Sequence, residues 1–216
     1  MELFDYLLAK KKGGGSSGDI NWSEIGYNFT PNSLVNDFNY AKQIYDNWVS
    51  ETNLNYKFQD DTKLVYMPLV DTSNATTMIS MFQGCAHLTT IPLLDTSKVT
   101  RMDNMFSNTS LATIPLLDTS NVTVMDYMFS SCSNLATIPL LDTSNATTMY
   151  NMFQSSNKLT DESLNNILQM CINATSYTGT KSLYYLGLRS SSYPVSRIEA
   201  LPHYQEFINA GWTIGY

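Results

Sequence analysis

One motif recurs through the middle of this chain at a nearly fixed interval, and any fold must accommodate it. Residues 71–94 read DTSNATTMISMFQGCAHLTTIPLL, residues 95–117 read DTSKVTRMDNMFSNTSLATIPLL, and residues 118–141 read DTSNVTVMDYMFSSCSNLATIPLL. Asp142 opens a further copy, DTSNATTMYNMFQSSNKLT. Weaker copies extend the pattern in both directions. Phe58-Gln59 precedes Phe82-Gln83 by 24 residues, and Leu183-Tyr-Tyr-Leu186 keeps the same phase beyond Leu159. The leucines that open the Leu-x-x-Ile step are 64, 88, 111, 135, 159 and 183, spaced by 24, 23, 24, 24 and 24. A period of this length means units that stack and share one core, because no unit of this size buries its apolar edge alone. The spacing predicts about six rungs.

Each unit has a physical reading. Leu-x-x-Ile-x-Leu puts apolar side chains on one face of a short strand, with Pro92, Pro115 and Pro139 pointing outward. Proline removes a ladder hydrogen bond, so the strand must be short or irregular. Asp-Thr-Ser makes a turn, and Ser73, Ser97, Ser120 and Ser144 are the expected N-caps of a short helical turn. Met78, Met81 and Phe82 then fall on one helical face. Met102, Met105, Phe106, Leu111, Ile114 and Leu116 are expected in the core. Leu94, Leu117, Leu141 and Val70 are ambiguous. Strict alternation sends them outward as an apolar ladder; a corner before the next aspartate brings both leucines of each pair inward. The corner is the expected solution, because an exposed leucine ladder invites aggregation.

The pattern LxxIPLLDTSxxTxMxxMFxxC resembles the BspA-like leucine-rich repeats of bacterial surface proteins, in their short mycoplasma-lipoprotein-type branch. The resemblance covers roughly residues 55–190. It implies an α/β solenoid: a leucine-rich-repeat-like right-handed superhelix with a parallel concave sheet and short helical or turn segments on the convex side. It implies adhesion and recognition of other proteins, and no active site.

The remaining segments read as ends. Residues 19–54 form an N-terminal helical cap, with a helix over Ser33–Trp48 carrying Leu34, Phe38, Ala41 and Tyr45 on one face. A second helix is expected over Asp161–Cys171, with Leu164, Ile167, Leu168 and Cys171 on one side. Residues 191–216 form the C-terminal cap: helix over Ser192–Ala210 broken by Pro202, then an edge strand at Trp212-Thr-Ile214. Residues 1–18 are an arm and a Gly/Ser linker. Leu3, Phe4 and Leu7 make a small apolar stripe before Lys10–Lys12, which suggests docking through residues 1–12 onto a larger assembly. That arm resembles short N-terminal arms of phage-encoded structural proteins.

Composition narrows the functional classes. Charged residues make up only 14%, so Ser, Thr and Asn must solvate the surface, and the net charge of −7 repels phosphate backbones and anionic lipids. No stretch approaches the roughly 20 apolar residues of a bilayer span, so neither nucleic acid binding nor membrane insertion is expected. The start lacks the order of a Sec signal peptide and no lipobox cysteine follows it, which favours a cytoplasmic or virion-associated protein. The three cysteines, Cys85, Cys132 and Cys171, are read as reduced, buried thiols. The two histidines, His87 and His203, have no visible second ligand. Asp71, Asp95, Asp118 and Asp142 form a ladder, read as caps of their own turns rather than cation sites. No nucleophile–base pair or paired carboxylates can be assembled, so no enzyme activity, catalytic residue, cofactor or metal is expected. What remains is surface. Tyr66, Thr90, Thr113, Thr137 and Tyr185 are the candidate contact residues of the concave face, with a protein or cell-surface component as the partner. A structural role, as spacer or decoration of an assembly, is the alternative.

Overall fold

The computed structural model describes residues 33–189 and 191–215. Leu3, Phe4 and Leu7 lie outside the described residues, as do the side chains of Leu34 and Phe38. Four helices occur among the described residues: α1 (Ser33–Asp46), α2 (Asp161–Asn173), α3 (Val195–Glu199) and α4 (Tyr204–Asn209). Between α1 and α2 the repeats lie one over another, and hydrogen bonds run between residues 22–25 positions apart. The expected solenoid with a parallel concave sheet is not what forms. The described residues contain no β-strand, and the repeats meet only through isolated parallel bridges.

Three features of the repeat explain the correction. First, two positions in each Met-x-x-Met-Phe segment take positive φ: Ser80 and Gly84, Asn104 and Asn108, Tyr127 and Ser131, Asn151 and Ser155. A left-handed residue every fourth position breaks both helix and strand. Second, alternate amides turn back into their own rung, as in Met81 N–H to Met78 C=O, Gln83 to Ser80 and Cys85 to Phe82. The others reach the next rung: Met78 donates to Arg101, Ser80 to Asp103, Phe82 to Met105 and Gly84 to Ser107. The segment read as a helical turn is therefore the one most regularly bonded between rungs. Third, the bridges Tyr66–Thr90 and Thr113–Thr137 stop after one residue, because two positions later Pro92, Pro115 and Pro139 have no N–H.

Gly84 illustrates the constraint. Its φ is +76°, and a Cβ there would lie 2.0 Å from Asp60 Oδ1 in the preceding rung. The same slot tolerates Asn108, Ser131 and Ser155, where the neighbour differs.

The core is continuous. Met78, Met81, Phe82 and their counterparts Met102, Met105, Phe106 and Met125, Met128, Phe129 are all buried. Phe58, Phe82, Phe106, Phe129 and Phe153 form a column with ring centroids 5.6–5.7 Å apart and nearly parallel planes. Trp48, just after α1, continues the column at 6.2 Å and donates Nε1–H to the Asp71 carbonyl. Tyr40 of α1 hydrogen-bonds through its hydroxyl to Asp61. The N-terminal cap thus closes the core by extending its aromatic column.

The Leu-x-x-Ile-Pro-Leu-Leu segment corrects the inward frame. Leu88, Ile91 and Leu94 are buried, as are Leu111, Ile114 and Leu117, and Leu135, Ile138 and Leu141. The burial period is three, that of a polyproline-type backbone, not the two of a pleated strand. Proline imposes this on itself and biases the residue before it. Leu94, Leu117 and Leu141 reach the core, as a corner requires, but Leu93 and Leu116 do not: they are 60% and 62% exposed.

The last predicted rung is also corrected. Asn151 N–H donates to Tyr185 C=O and Phe153 N–H to Leu186 C=O, so Leu183–Leu186 packs over Met149–Phe153. Its 24-residue spacing from Leu159 is coincidental, because α2 lengthens this unit. Thr160 caps α2 by accepting from Ser163 N–H, and Leu164, Ile167, Leu168 and Cys171 face the core. Leu159 is covered by Tyr193, which accepts its N–H at 3.1 Å. At the end, Trp212 stacks against Tyr177 and Phe207, and the expected edge strand reduces to one bridge, Ser182–Thr213.

The thiols sit in a donor slot. Cys85 Sγ donates to Phe58 C=O at 2.9 Å and Cys132 Sγ to Phe106 C=O at 3.0 Å, while Ser156 makes the equivalent bond to Phe129. All three cysteines are unpaired and buried. Burial pushes the Cys85 thiol up to about 12 and raises Cys132 and Cys171 as well.

Two outcomes follow from this packing. Phe106→Ala should cost about 3–5 kcal/mol in denaturant unfolding, and Leu117→Ser a similar amount, whereas Leu116→Ser should stay within about 0.5 kcal/mol of the parent. Equal losses at 116 and 117 would mean the period of three is wrong. Thiol labelling in native buffer should proceed only as fast as the chain opens; immediate reaction of all three cysteines contradicts their burial.

Candidate interaction surface

The Asp-Thr-Ser motif builds one edge of the candidate surface. Asp71 Oδ1 accepts the N–H of Ser73 at 3.0 Å, and Asp95, Asp118 and Asp142 do the same for Ser97, Ser120 and Ser144 at 2.9–3.1 Å. Each carboxylate therefore closes an Asx-turn, as the sequence reading expects. The cap is the aspartate, not the serine, and no helix follows it. The intervening threonine turns inward: Thr72, Thr96 and Thr119 donate their hydroxyls to the carbonyls of Asp95, Asp118 and Asp142 in the next rung. Leu94, Leu117 and Leu141 are buried just before each aspartate, so the aspartate carboxylates stay at the surface.

Hydrogen bonds from the hydroxyl and N–H of the following serine hold Asp71, Asp95 and Asp142 below the usual carboxylate range. These carboxylates stay charged well into mild acid. Lys98 is the cation whose charge reaches Asp71 and Asp95.

Beside this acidic row runs an apolar one. Leu69, Leu93, Leu116 and Leu140 each stand two residues before an aspartate and are 38%, 60%, 62% and 43% exposed. The two outer leucines are the more covered, because structure closes over both ends of the row. Trp48 bonds the Asp71 carbonyl at one end, and at the other Thr143 donates to Met170 of α2. Sequence reasoning considered an exposed ladder but placed it at Leu94, Leu117 and Leu141, one residue too late.

The predicted contact residues divide between two places. Tyr66 pairs with Thr90 and Thr113 with Thr137 in single bridges, with the three threonines exposed and Tyr66 half-buried. No bridge joins Thr90 to Thr113. The 23-residue unit is one residue short there, and Ser110 bonds the Ala86 carbonyl through its hydroxyl instead. Tyr185 belongs elsewhere, on the column of the Met-Phe segments. Its ring lies 6.2 Å from Tyr150, which meets Tyr127 edge-on at 5.4 Å. Tyr184 adjoins it at 6.0 Å, with the Arg189 guanidinium 3.9 Å above the Tyr184 ring. This exposed tyrosine cluster was missed as a cluster, because the insertion of α2 hides its register from the sequence.

Titratable groups elsewhere are engaged locally. Arg101 forms a two-pronged ion pair with Asp103 at 2.9 and 3.0 Å. His203 Nδ1 lies 3.2 Å from Glu206 and His87 is exposed. Among the described residues no group of three or more His, Cys, Asp or Glu side chains is placed to hold a metal ion.

A folded-state pKa held low means stability that is present above the unfolded carboxylate value and lost as pH falls through the lowered one. Thermal stability should therefore drop on acidification below about pH 4. Asp95→Asn with Asp142→Asn should flatten that acid limb, since asparagine still accepts the turn N–H without a charge. An unchanged acid limb in the double variant would show that these turns do not set it.

The family model described as Mycoplasma protein of unknown function, DUF285, matches residues 33–111 and 49–166, so the two matches together span residues 33–166. No curated protein and no solved structure matches the chain. With more than half of its length covered, and with the repeats at the centre of the match, the chain belongs to this repeat-containing Mycoplasma family of unknown function.

Proposed function

We propose that this chain is a non-enzymatic protein-binding module of the adhesion type, working through the exposed face of its stacked repeats. The observation that carries the reading is the leucine row. Four aliphatic side chains at consecutive rungs stand exposed on a surface otherwise solvated mainly by Thr, Ser, Asn and Asp. Contiguous apolar exposure of this kind marks contact sites on soluble proteins. The exposed cluster of Tyr150, Tyr184 and Tyr185 adds a second patch of a residue type enriched at protein contacts. The resemblance of the repeat to BspA-like surface proteins points the same way. Residues 1–12 then act as the tether that displays the module on an assembly. A spacer or decoration role draws on the regularity of the stack, but it leaves the leucine row without a purpose.

Photo-crosslinking separates the two. A photoreactive residue in place of Leu116 should label a discrete protein in extract from the source cells. Unlabelled parent chain should compete that label away, and the Leu93→Ser/Leu116→Ser variant should not. Labelling that both competitors suppress equally overturns the reading. For the tether, deletion of residues 1–12 should abolish assembly with an unchanged melting temperature; normal assembly of the shortened chain removes that role.

A further inference from the structure

The leucine row and the aspartate row run through the same four units, each exposed aspartate two residues after an exposed leucine. We propose that together they form a docking track for one amphipathic α-helix of a protein partner, with an aliphatic stripe flanked on one side by lysine or arginine. This rests on the protein-binding reading and names the partner's chemistry.

Pitch selects the helix. Successive phenylalanine ring centroids lie 5.6–5.7 Å apart in the core column. A helix laid along the same axis repeats every ~5.4 Å, whereas an extended strand presents one face every ~6.7 Å. Over the three steps from Leu69 to Leu140, a helix drifts by about 1 Å and a strand by about 3 Å. With an inter-rung spacing of ~4.8 Å, as in paired backbones, the helix still fits better, by about 2 Å against about 6 Å. A partner helix thus sets one aliphatic side chain against each leucine.

Charge selects the flank. Each exposed leucine is followed two residues later by an exposed aspartate, with the intervening residue buried, so carboxylates line one side of the track. One oxygen of each is held by its turn and the charge remains. Lys98 is the single lysine or arginine within the Asp-Thr-Ser turns. A basic flank is attracted to this row, and an anionic lipid surface is repelled by it. Closure at Trp48 and at α2 limits the track to four rungs, the length of about four helical turns.

The test uses the full chain and three synthetic peptides of about 15 residues, four turns. All are helix formers. One carries leucines at i, i+4, i+7 and i+11 with a lysine flank, one carries the same leucines with a glutamate flank, and one has the lysine sequence scrambled. By fluorescence anisotropy the lysine-flanked peptide should bind at least about tenfold tighter than the other two, a margin of about 1.4 kcal/mol. Its helicity should rise on binding. Leu93→Ser/Leu116→Ser should weaken it about tenfold or more. Asp95→Asn/Asp118→Asn should weaken it several-fold and flatten its salt dependence.

Equal binding of the three peptides, or indifference to the leucine variant, overturns the proposal. So does self-association of the chain that the leucine variant abolishes, which makes a second copy the occupant. Binding that appears only after residues 1–18 are removed assigns the track to the chain's own arm and overturns it too. If no peptide binds while the Leu116 crosslink persists, the helix chemistry fails and the protein-binding reading stands.

Discussion

Backbone hydrogen bonds passed from one Met-x-x-Met-Phe segment to the next hold the repeats in register, and the other features are arranged around them. Every second amide of this segment reaches forward to a carbonyl of the following rung, and the amides between them close turns inside their own rung. Each such bond contributes about 0.5–1.5 kcal/mol net. The Phe column adds about 0.5–1.5 kcal/mol per stacked pair beyond the area it buries. Neither term can form within one unit. The stability of each repeat therefore depends on its neighbours, which is why both ends are closed by aromatic residues: Trp48 at one, Tyr193 and Trp212 at the other.

The surface follows from that arrangement. Left-handed residues confine the Met-Phe segments to tight turns, and the Ile-Pro-Leu-Leu segment returns the chain to the next rung. That path buries one residue in three and leaves one leucine of each pair outside. The exposed leucine row is thus tied to the geometry of the rung. The position is leucine in four successive units, Leu69, Leu93, Leu116 and Leu140, although Ser or Thr would be soluble and sterically adequate there. The aspartates beside it serve two ends at once: one oxygen folds the turn and the charge remains available outside.

Most of the core was legible in the sequence. Met102, Met105, Phe106, Leu111 and Ile114 are buried as their slots predict, and the helices at Ser33–Asp46 and Asp161–Asn173 lie where periodicity puts them. The aspartate caps were legible too, because Asx-turn chemistry is local. What failed was the identity of the elements. The apolar spacing of Met78, Met81 and Phe82 fits one helical face, but two left-handed positions per unit deny the helix, and their residues vary among Tyr, Ser, Asn, Asp and Gly. The Leu-x-x-Ile step reads as a strand until proline is given its full weight. The final rung misled because a 24-residue spacing persisted by accident across α2.

By itself the sequence determined that the chain is a stack of near-identical units, that Met, Phe and Ile line its interior, and that its surface is polar, sparse in charge and acidic. A repeat with one apolar edge has no other way to bury it. Only the tertiary structure decided that the described repeats form no sheet, which leucine of each pair is exposed, and that Tyr150, Tyr184 and Tyr185 meet. Those outcomes depend on where each backbone N–H finds its acceptor. For residues whose partners lie 22 to 34 positions away, no local pattern specifies that choice.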